Sequence, residues 1–120
     1  MEKSKIKIAV IGAGSWGRNL VRVFFRLGVL DTICDSSLDK LRQIKNDYPN
    51  VNLALSVNDI LKNKFIKAMV ISTPAQFHYR LTKEALLADK DVFVEKPLAL
   101  TVEDGMELVE LAEKKKKILM

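Results

Sequence analysis

The chain has 120 residues, of which 48% are hydrophobic and 29% are charged, and its formal net charge is +5. This length and composition are typical of one soluble globular domain, and they exclude a disordered or collagen-like chain and a second domain. No stretch reaches the roughly 20 apolar residues that a membrane-spanning helix requires, so we expect no membrane partner.

Much of the net positive charge lies in two short clusters, one at Lys3, Lys5 and Lys7 and the other at residues 114–117. Neither cluster forms a stripe with interleaved aromatic residues, so we expect no nucleic acid partner and regard a cofactor phosphate as the better-matched anion. The single cysteine, Cys34, excludes an intramolecular disulfide, and no Cys/His cluster is present for zinc. With no secretory signal either, the sequence predicts a cytoplasmic protein without a metal site.

Short apolar runs rich in β-branched residues alternate with helical patterns along the chain. Such runs are typical of strands buried on both faces of a parallel sheet with helices above and below it. The pattern therefore predicts an α/β fold, a doubly wound parallel sheet in three layers, αβα. The predicted strands are Ile6–Ile11, Val29–Cys34, Val51–Ala54, Ala68–Ile71, Val92–Val94 and a terminal stub, Ile118–Met120.

The first predicted helix covers Ser15–Leu27 and stops at Gly28. A second helix begins near Ser36 or Ser37 and ends before Pro49. The residues of the first helix that are predicted to face the core are Leu20, Val23, Phe24 and Leu27.

Three more helices follow. Ser56 is predicted to cap a short third helix, Pro74 to set the entry to a fourth, and Thr101 to cap the last. The apolar face of the fourth helix is predicted at Phe77, Leu81, Ala85 and Ala88. The inward-facing residues of the last helix are predicted to be Val102, Met106 and Val109.

Residues 5–17 read KIKIAVIGAGSWG, a strand followed by a glycine-rich turn and the start of the first helix. In a dinucleotide-binding loop the first glycine permits the tight turn, the second lets the backbone approach the pyrophosphate, and the third lets helix and strand pack closely. Free amides and the dipole at the helix N-terminus then bind the diphosphate. A plain glycine turn is the alternative. The context favours a phosphate loop made of Gly12, Ala13, Gly14, Ser15, Trp16 and Gly17.

Asp35 stands at the end of the second strand, 18 positions after Gly17. An acidic residue about 20 positions after the loop binds the hydroxyls of the adenosine ribose, and its charge repels the 2′-phosphate of NADP. The sequence thus favours NAD. Ser36 and Ser37, not an Arg, follow Asp35 directly, and Lys40 is the nearest cation, which leaves NADP open. The alternative is that Asp35 only caps the second helix.

Two further segments follow strands at the edge where a nicotinamide ribose would run, Ser72-Thr73-Pro74 and Glu95-Lys96-Pro97. Ser72 and Thr73 have hydroxyl and backbone groups to offer a cofactor. His78 lies one turn into the next helix, where packing or capping is the more common role. Lys96 is a candidate to donate a hydrogen bond to a substrate hydroxyl and stabilise the alkoxide that precedes hydride loss, although a solvated charged loop has the same pattern.

Four segments in this order resemble the Gfo/Idh/MocA oxidoreductases: KIAVIGAGSWGRNLVRVF, ICD, VISTPAQFHY and VFVEKPLAL. The resemblance covers nearly the whole chain, and residues 15–22 are most similar to sugar-nucleotide 3-dehydrogenases. It implies the NAD(P)-binding Rossmann domain of a dehydrogenase that transfers a hydride between a sugar or sugar-nucleotide hydroxyl and nicotinamide.

The resemblance also implies roles for individual residues. Lys96 would be the catalytic lysine, and the bond before Pro97 resembles one that is often cis in this family. Contacts with the cofactor are implied for the phosphate loop and for Asp35, Ser36, Ser72, Thr73, Pro74, His78, Glu95 and Lys96.

Members of this family continue into a second α/β domain that binds the sugar, supplies a further acid/base residue and often carries an oligomer interface. We therefore expect residues 1–120 to be one Rossmann domain that stops at the start of its sixth strand. This domain is expected to bind cofactor but to show little catalytic turnover by itself. A homo-oligomer is a further expectation. A free-standing nucleotide-sensing or CoA-binding module is the main alternative, and it has no use for Glu95-Lys96-Pro97. An interaction scaffold, the third alternative, would tolerate replacement of Gly14.

Overall fold

Strands and helices alternate from one end of the chain to the other in the computed structural model, which describes residues 6–120. Lys3 and Lys5 of the first basic cluster lie outside the described residues. The elements are β1 (Lys7–Ile11), α1 (Ser15–Arg26), β2 (Leu30–Cys34), α2 (Leu38–Lys45), β3 (Asn52–Ala54), α3 (Val57–Lys62), β4 (Ile66–Ile71), α4 (His78–Leu87), β5 (Asp91–Val94) and α5 (Val102–Lys115). A 3₁₀ turn, Ala75–Phe77, leads into α4.

The five strands form one parallel sheet in the order β3-β2-β1-β4-β5. Beyond β5, Leu119 pairs in parallel with Val92, so the last three residues lie where a sixth strand begins. Because parallel neighbours need a crossover connection, every strand is followed by a helix that packs on one face of the sheet. The predicted doubly wound parallel sheet is confirmed.

Each face of the sheet carries its own apolar core. Side chains alternate along β1, so that Ala9 and Ile11 point to one core and Val10 to the other. The core of Val10 is closed by α1 and α2 through residues such as Val21 and Leu41. The core of Ala9 and Ile11 is closed by α3, α4 and α5. This two-sided burial explains why the strands read as continuous apolar runs.

The predicted boundaries and caps agree closely with the structure. Ser37, Ser56 and Thr101 each cap a helix by accepting a hydrogen bond from a backbone N–H of the first turn. Gly28 has a φ of +76° just after the end of α1, as expected for a glycine at that position. The larger differences are at two helix ends and one strand start. Helix α2 ends at Lys45, short of Pro49, and α4 begins at His78, after the 3₁₀ turn that follows Pro74. Strand β4 begins at Ile66, two residues earlier than predicted.

The predicted inner face of α1 is partly wrong. Val21 is fully buried, whereas Val23 and Leu27 are exposed, and only Leu20 and Phe24 pack partly against the core. The reason lies at the start of the helix, where Gly17 is buried against the glycine turn. Its close contact fixes the rotation of α1, and the residue one turn later is Val21.

The predicted inner face of α5 is wrong. Val102, Met106 and Val109 are all exposed, whereas Leu108 and Ala112 are buried. The helix has two apolar stripes, and periodicity alone does not say which of them faces the sheet. In α4, Leu81 and Ala85 are buried as predicted, but Ala88 is only partly buried and Phe77, in the 3₁₀ turn, is 37% exposed.

Residues 6–120 can also be described with respect to membrane and metal binding. No helix in that range has both the length and the apolar character needed to cross a bilayer. The same residues contain no group of three or more His, Cys, Asp or Glu side chains arranged to hold a metal ion.

Candidate functional site

The carboxyl ends of four strands stop level with one another. Ile11 pairs with Cys34 on one side and Ile71 on the other, and Ile71 pairs with Val94. The residues that directly follow these strands therefore stand in one row along the edge of the sheet. They are Gly12, Asp35, Ser72 and Glu95. The ladder continues into this row, because the Gly12 N–H donates to the Cys34 carbonyl at 2.7 Å and the Ser72 N–H to the Ile11 carbonyl at 2.9 Å.

A cavity of about 650 Å³ opens over this edge, within the range of about 300–1,000 Å³ that is usual for small-molecule sites. It lies in the crevice outside the strand ends, the usual place for a ligand in an open α/β sheet. Ten of the predicted cofactor residues line it: Gly12, Gly14, Ser15, Trp16, Gly17, Asp35, Ser36, Ser72, Thr73 and Pro74.

The three glycines of the loop meet different surroundings. Gly12 has a φ of +104°, and an added Cβ would lie 2.8 Å from the carbonyl oxygen of Ser72. At Gly17 an added Cβ would overlap the carbonyl oxygen of Gly12. At Gly14 an added Cβ would meet nothing within 4 Å. The chain itself thus requires glycine at the first and third positions, whereas Gly14 leaves a backbone surface open beside the cavity, which fits close approach of a pyrophosphate.

Helix α1 begins at this cavity without a cap. Its N-cap residue is Gly14, no side chain bonds to its first-turn amides, and its first turn has no acidic residue. By contrast, α2, α3 and α5 each have a hydroxyl cap and an acidic residue in the first turn. The free amides and the positive end of the helix dipole are therefore left for an anion from outside the chain.

Asp35 joins the phosphate loop to the start of α2. One carboxylate oxygen accepts a hydrogen bond from the Ala13 N–H at 2.7 Å, and the other accepts one from the Ser37 N–H at 2.8 Å. Ser37, not Asp35, is the N-cap residue of α2. Each carboxylate oxygen has more than one lone pair, so the contacts leave room for ribose hydroxyls on the cavity side. Ala13 is buried and does not line the cavity.

Ser72 supports the loop from the neighbouring strand. Its hydroxyl lies 3.1 Å from the carbonyl oxygens of both Ile11 and Gly12, so its single hydrogen is directed to the loop backbone. Thr73 and Pro74 follow and form the wall of the cavity on the β4 side.

The structure places the remaining predicted residues near this cavity but not in its lining. Glu95 is half-buried, and Lys96 is exposed and lines a second cavity of about 470 Å³ together with residues such as Leu98 and Val109. His78 is buried, with Nδ1 2.7 Å from the Pro97 carbonyl oxygen and Nε2 2.8 Å from the Thr73 carbonyl oxygen. The bond between Lys96 and Pro97 is cis, as the family resemblance implied.

Several residues of the cavity lining were not predicted from the sequence to belong to the site. Phe77 and Arg80 line the cavity three positions apart, and the Arg80 guanidinium carbon lies 5.7 Å from the centre of the Phe77 ring. Lys40, noted only as the nearest cation to Asp35, lines it as well. The helical spacing of Phe77 and Arg80 after Pro74 was the signal that could have found them, since residues three apart share a helix face.

Cys34 also lines the cavity, at the end of β2. Burial, the main cause, and the negative charges of Asp35 and Asp59 together raise the pKa of the Cys34 thiol to about 11. A thiol of this kind stays neutral near pH 7, so Cys34 is not suited to be a nucleophile.

Comparisons with known proteins agree with this geometry. Residues 6–120 match the family model described as "Oxidoreductase family, NAD-binding Rossmann fold". Over 98% of its length the chain is 27% identical to the NADP⁺-dependent scyllo-inositol 2-dehydrogenase of Bacillus subtilis, of which it covers 34%.

Two solved structures are similar as well. The WlbA dehydrogenase of Chromobacterium violaceum, in complex with NADH and UDP-GlcNAcA, is 27% identical with a TM-score of 0.88, over 100% of this chain and 35% of that one. Biliverdin reductase of Synechocystis, in complex with biliverdin and NADP⁺, is 27% identical with a TM-score of 0.89, over 97% of this chain and 37% of that one. The chain thus spans about a third of the length of these relatives.

Proposed function

The chain belongs to the Gfo/Idh/MocA oxidoreductases, as an NAD-binding Rossmann domain of that family, and we propose that it is the cofactor half of a dehydrogenase acting on sugars or sugar nucleotides. The observation that carries the proposal is the open backbone at Gly14, which lies beside the cavity and next to an uncapped helix N-terminus. The chain has no internal need for glycine there, so the need comes from a ligand.

The residues around the cavity divide into two halves that fit a dinucleotide. On one side, Gly14 and the first amides of α1 hold the pyrophosphate, and Asp35 accepts hydrogen bonds from the adenosine ribose. On the other, Thr73 and Pro74 form the wall along which the nicotinamide half runs. Asp35 favours NAD, and Lys40 in the same lining provides the cation that a 2′-phosphate would need.

Lys96 is the proposed catalytic residue. Lys96 follows β5, and β5 is the strand next to β4, whose end leads into Thr73 and Pro74 of the cavity wall. Among residues 6–120 Lys96 has no ion pair. An ammonium group without a carboxylate partner is free to donate a hydrogen bond to a substrate hydroxyl and stabilise the developing alkoxide. The bound nicotinamide supplies the hydride chemistry.

The proposed substrate class rests on the relatives. The names of two of them refer to polyhydroxylated rings, scyllo-inositol and UDP-GlcNAcA. A ring hydroxyl is the group that Lys96 would polarise. We further propose a cytoplasmic location, since Cys34 is a buried free thiol, and a homo-oligomer in the assembled enzyme.

The test uses Trp16, the only tryptophan of the chain, which lines the cavity and is 57% exposed. Titration with NADH is expected to quench its fluorescence to saturation. At a concentration about 100 times the dissociation constant, the cofactor should stabilise the fold by about 2.7 kcal/mol, seen as a rise of several degrees in Tm. Absence of any saturable change with NAD⁺, NADH, NADP⁺ and NADPH would rule the proposal out.

A further inference from the structure

The chain has one histidine, and it is buried between two loops of the site. His78 is the first residue of α4 and is 1% exposed. Its two ring nitrogens point to opposite sides, Nε2 to the carbonyl oxygen of Thr73 and Nδ1 to that of Pro97. Thr73 belongs to the loop that follows β4, and Pro97 to the loop that follows β5.

Both partners of the ring are hydrogen-bond acceptors, which limits how the ring can bond to both of them. A carbonyl oxygen has no hydrogen to donate, and a neutral imidazole has only one N–H. Contacts of 2.8 Å and 2.7 Å with two carbonyl oxygens are hydrogen bonds only if both nitrogens carry hydrogen. Among residues 6–120 no carboxylate lies within ion-pair distance of His78. The charge would therefore be held by two charge-assisted hydrogen bonds to backbone carbonyls.

The two loops that the ring joins carry different parts of the proposed mechanism. Thr73 lines the cofactor cavity, whereas Pro97 directly follows Lys96. The sheet connects the two strands only as far as the Glu95 N–H, which donates to the Ile71 carbonyl at 3.0 Å. We call Thr73 and Pro74, on the β4 side of the cavity, the cofactor wall. Beyond the Glu95 bond, the side chain of His78 connects this cofactor wall to the backbone beside Lys96.

We propose that His78, as an imidazolium that donates to the carbonyls of Thr73 and Pro97, is a positioning residue that fixes the backbone of Lys96 relative to the cofactor wall. The inference rests on the proposed role of Lys96. The expected effect of this positioning on the rate is large, because a displacement of about 1 Å in a reacting group can cost roughly 100-fold in rate.

The first test measures the ring itself. With a single histidine in the chain, the ¹⁵N spectrum of histidine-labelled protein needs no assignment. At pH 7 we expect both ring nitrogens to show the shift of a protonated nitrogen and to couple to a directly bonded hydrogen. One protonated and one bare nitrogen would overturn the proposal, because a single N–H cannot hold both carbonyls. This result does not depend on cofactor binding, which tests the proposed function separately.

The second test compares His78→Phe with Thr82→Val. Thr82 lies one turn along α4, is fully buried, and its hydroxyl has no hydrogen-bond partner within residues 6–120, which makes it a matched control for a buried change in the same helix. In His78→Phe the amide order parameters of Lys96 and Leu98 should fall from about 0.85 to below about 0.6, whereas Thr82→Val should leave them near 0.85.

Two outcomes of this comparison are decisive. Lower amide order parameters at Lys96 and Leu98, with unchanged order parameters in β4 and β5, support a positioning role. A purely structural role would lower Tm without a selective effect on this loop. Rigid Lys96 and Leu98 amides in a folded His78→Phe protein would overturn the proposal. If that variant does not fold, the protonation state of the native ring still decides the question.

Discussion

At the scale of single residues, the three glycines of the GxGxxG motif differ in the physical reason for having glycine at that position. Gly12 and Gly17 are required by the fold, since a Cβ at either position would run into backbone atoms. Gly14 has an ordinary φ of −73° and open space where a Cβ would lie. We therefore propose that the pattern GxGxxG combines two packing constraints with one ligand constraint, and substitutions can separate them.

Alanine at each position should show this difference. Gly14→Ala is expected to change the free energy of unfolding by less than about 1 kcal/mol. Alanine is a poorer N-cap residue than glycine, but it also lowers the conformational entropy of the unfolded chain, and the two effects offset each other. The affinity of this variant for NADH should fall about tenfold or more, because the new methyl group occupies the surface that the pyrophosphate approaches. Thermal unfolding and the Trp16 fluorescence titration measure the two effects.

Gly17→Ala is the matched comparison. Its methyl group would overlap the carbonyl oxygen of Gly12, so we expect a loss of about 3 kcal/mol or more in unfolding free energy. An unchanged NADH affinity in Gly14→Ala, or an unchanged Tm in Gly17→Ala, would show that the division of roles is wrong.

Cys34 gives a second prediction at this scale. Its pKa of about 11 lies three units above pH 8, so about one thiol in a thousand is ionised at that pH. The side chain is also 2% exposed. Reaction of the folded protein with a disulfide reagent at pH 8 should be at least about 100-fold slower than reaction of the urea-unfolded chain. A rapid reaction of the native protein, followed by absorbance, would contradict this environment.

At the scale of elements, α5 shows how an apolar pattern can mislead. Val102, Met106 and Val109 have helical spacing, but the stripe that packs on the sheet is the one containing Leu108 and Ala112. A helix with two apolar stripes can pack on the sheet by either one, and contact with α4 decides between them. The same ambiguity arises in α1, where burial of Gly17 sets the rotation.

Two substitutions in α5 discriminate between the stripes. Leu108→Ala should lower the free energy of unfolding by about 2–5 kcal/mol, because it leaves a cavity in a fully buried site. Met106→Ala, at a residue that is 58% exposed, should change it by no more than about 0.5 kcal/mol. Urea unfolding curves measure both. A larger loss for Met106→Ala would restore the orientation that periodicity favoured.

At the scale of the whole molecule, function depends on four strand ends stopping at the same level. This alignment puts the phosphate loop, Asp35, the Ser72-Thr73-Pro74 segment and Lys96 along one edge of the sheet, although they are spread over 85 positions of the chain, from 12 to 96. The chain spans about a third of the length of the relatives it matches, and the cavity at this edge is the cofactor site that we propose.

We therefore expect binding to be separable from turnover in this chain. NADH should bind saturably. Hydride transfer to NAD⁺ from sugars or sugar nucleotides should stay near the uncatalysed rate, because we propose that the substrate is held by the part of the relatives' length that these 120 residues do not span. Absorbance at the reduced-nicotinamide band measures the second effect. Substantial turnover by the 120 residues alone would contradict this expectation.

The sequence by itself determined the layer architecture, the phosphate loop, the helix caps and the position of Asp35, because these depend on local chemistry and on periods of two and 3.6 residues. The tertiary structure alone decided which apolar stripe of α1 and α5 turns inward, that Ala13 donates its amide to Asp35, and that His78 bridges Thr73 and Pro97. The three hydrogen bonds of Asp35 with Ala13 and of His78 with Thr73 and Pro97 join residues 5 to 22 positions apart. Such contacts arise only when separate strands and helices pack, and no local pattern encodes them.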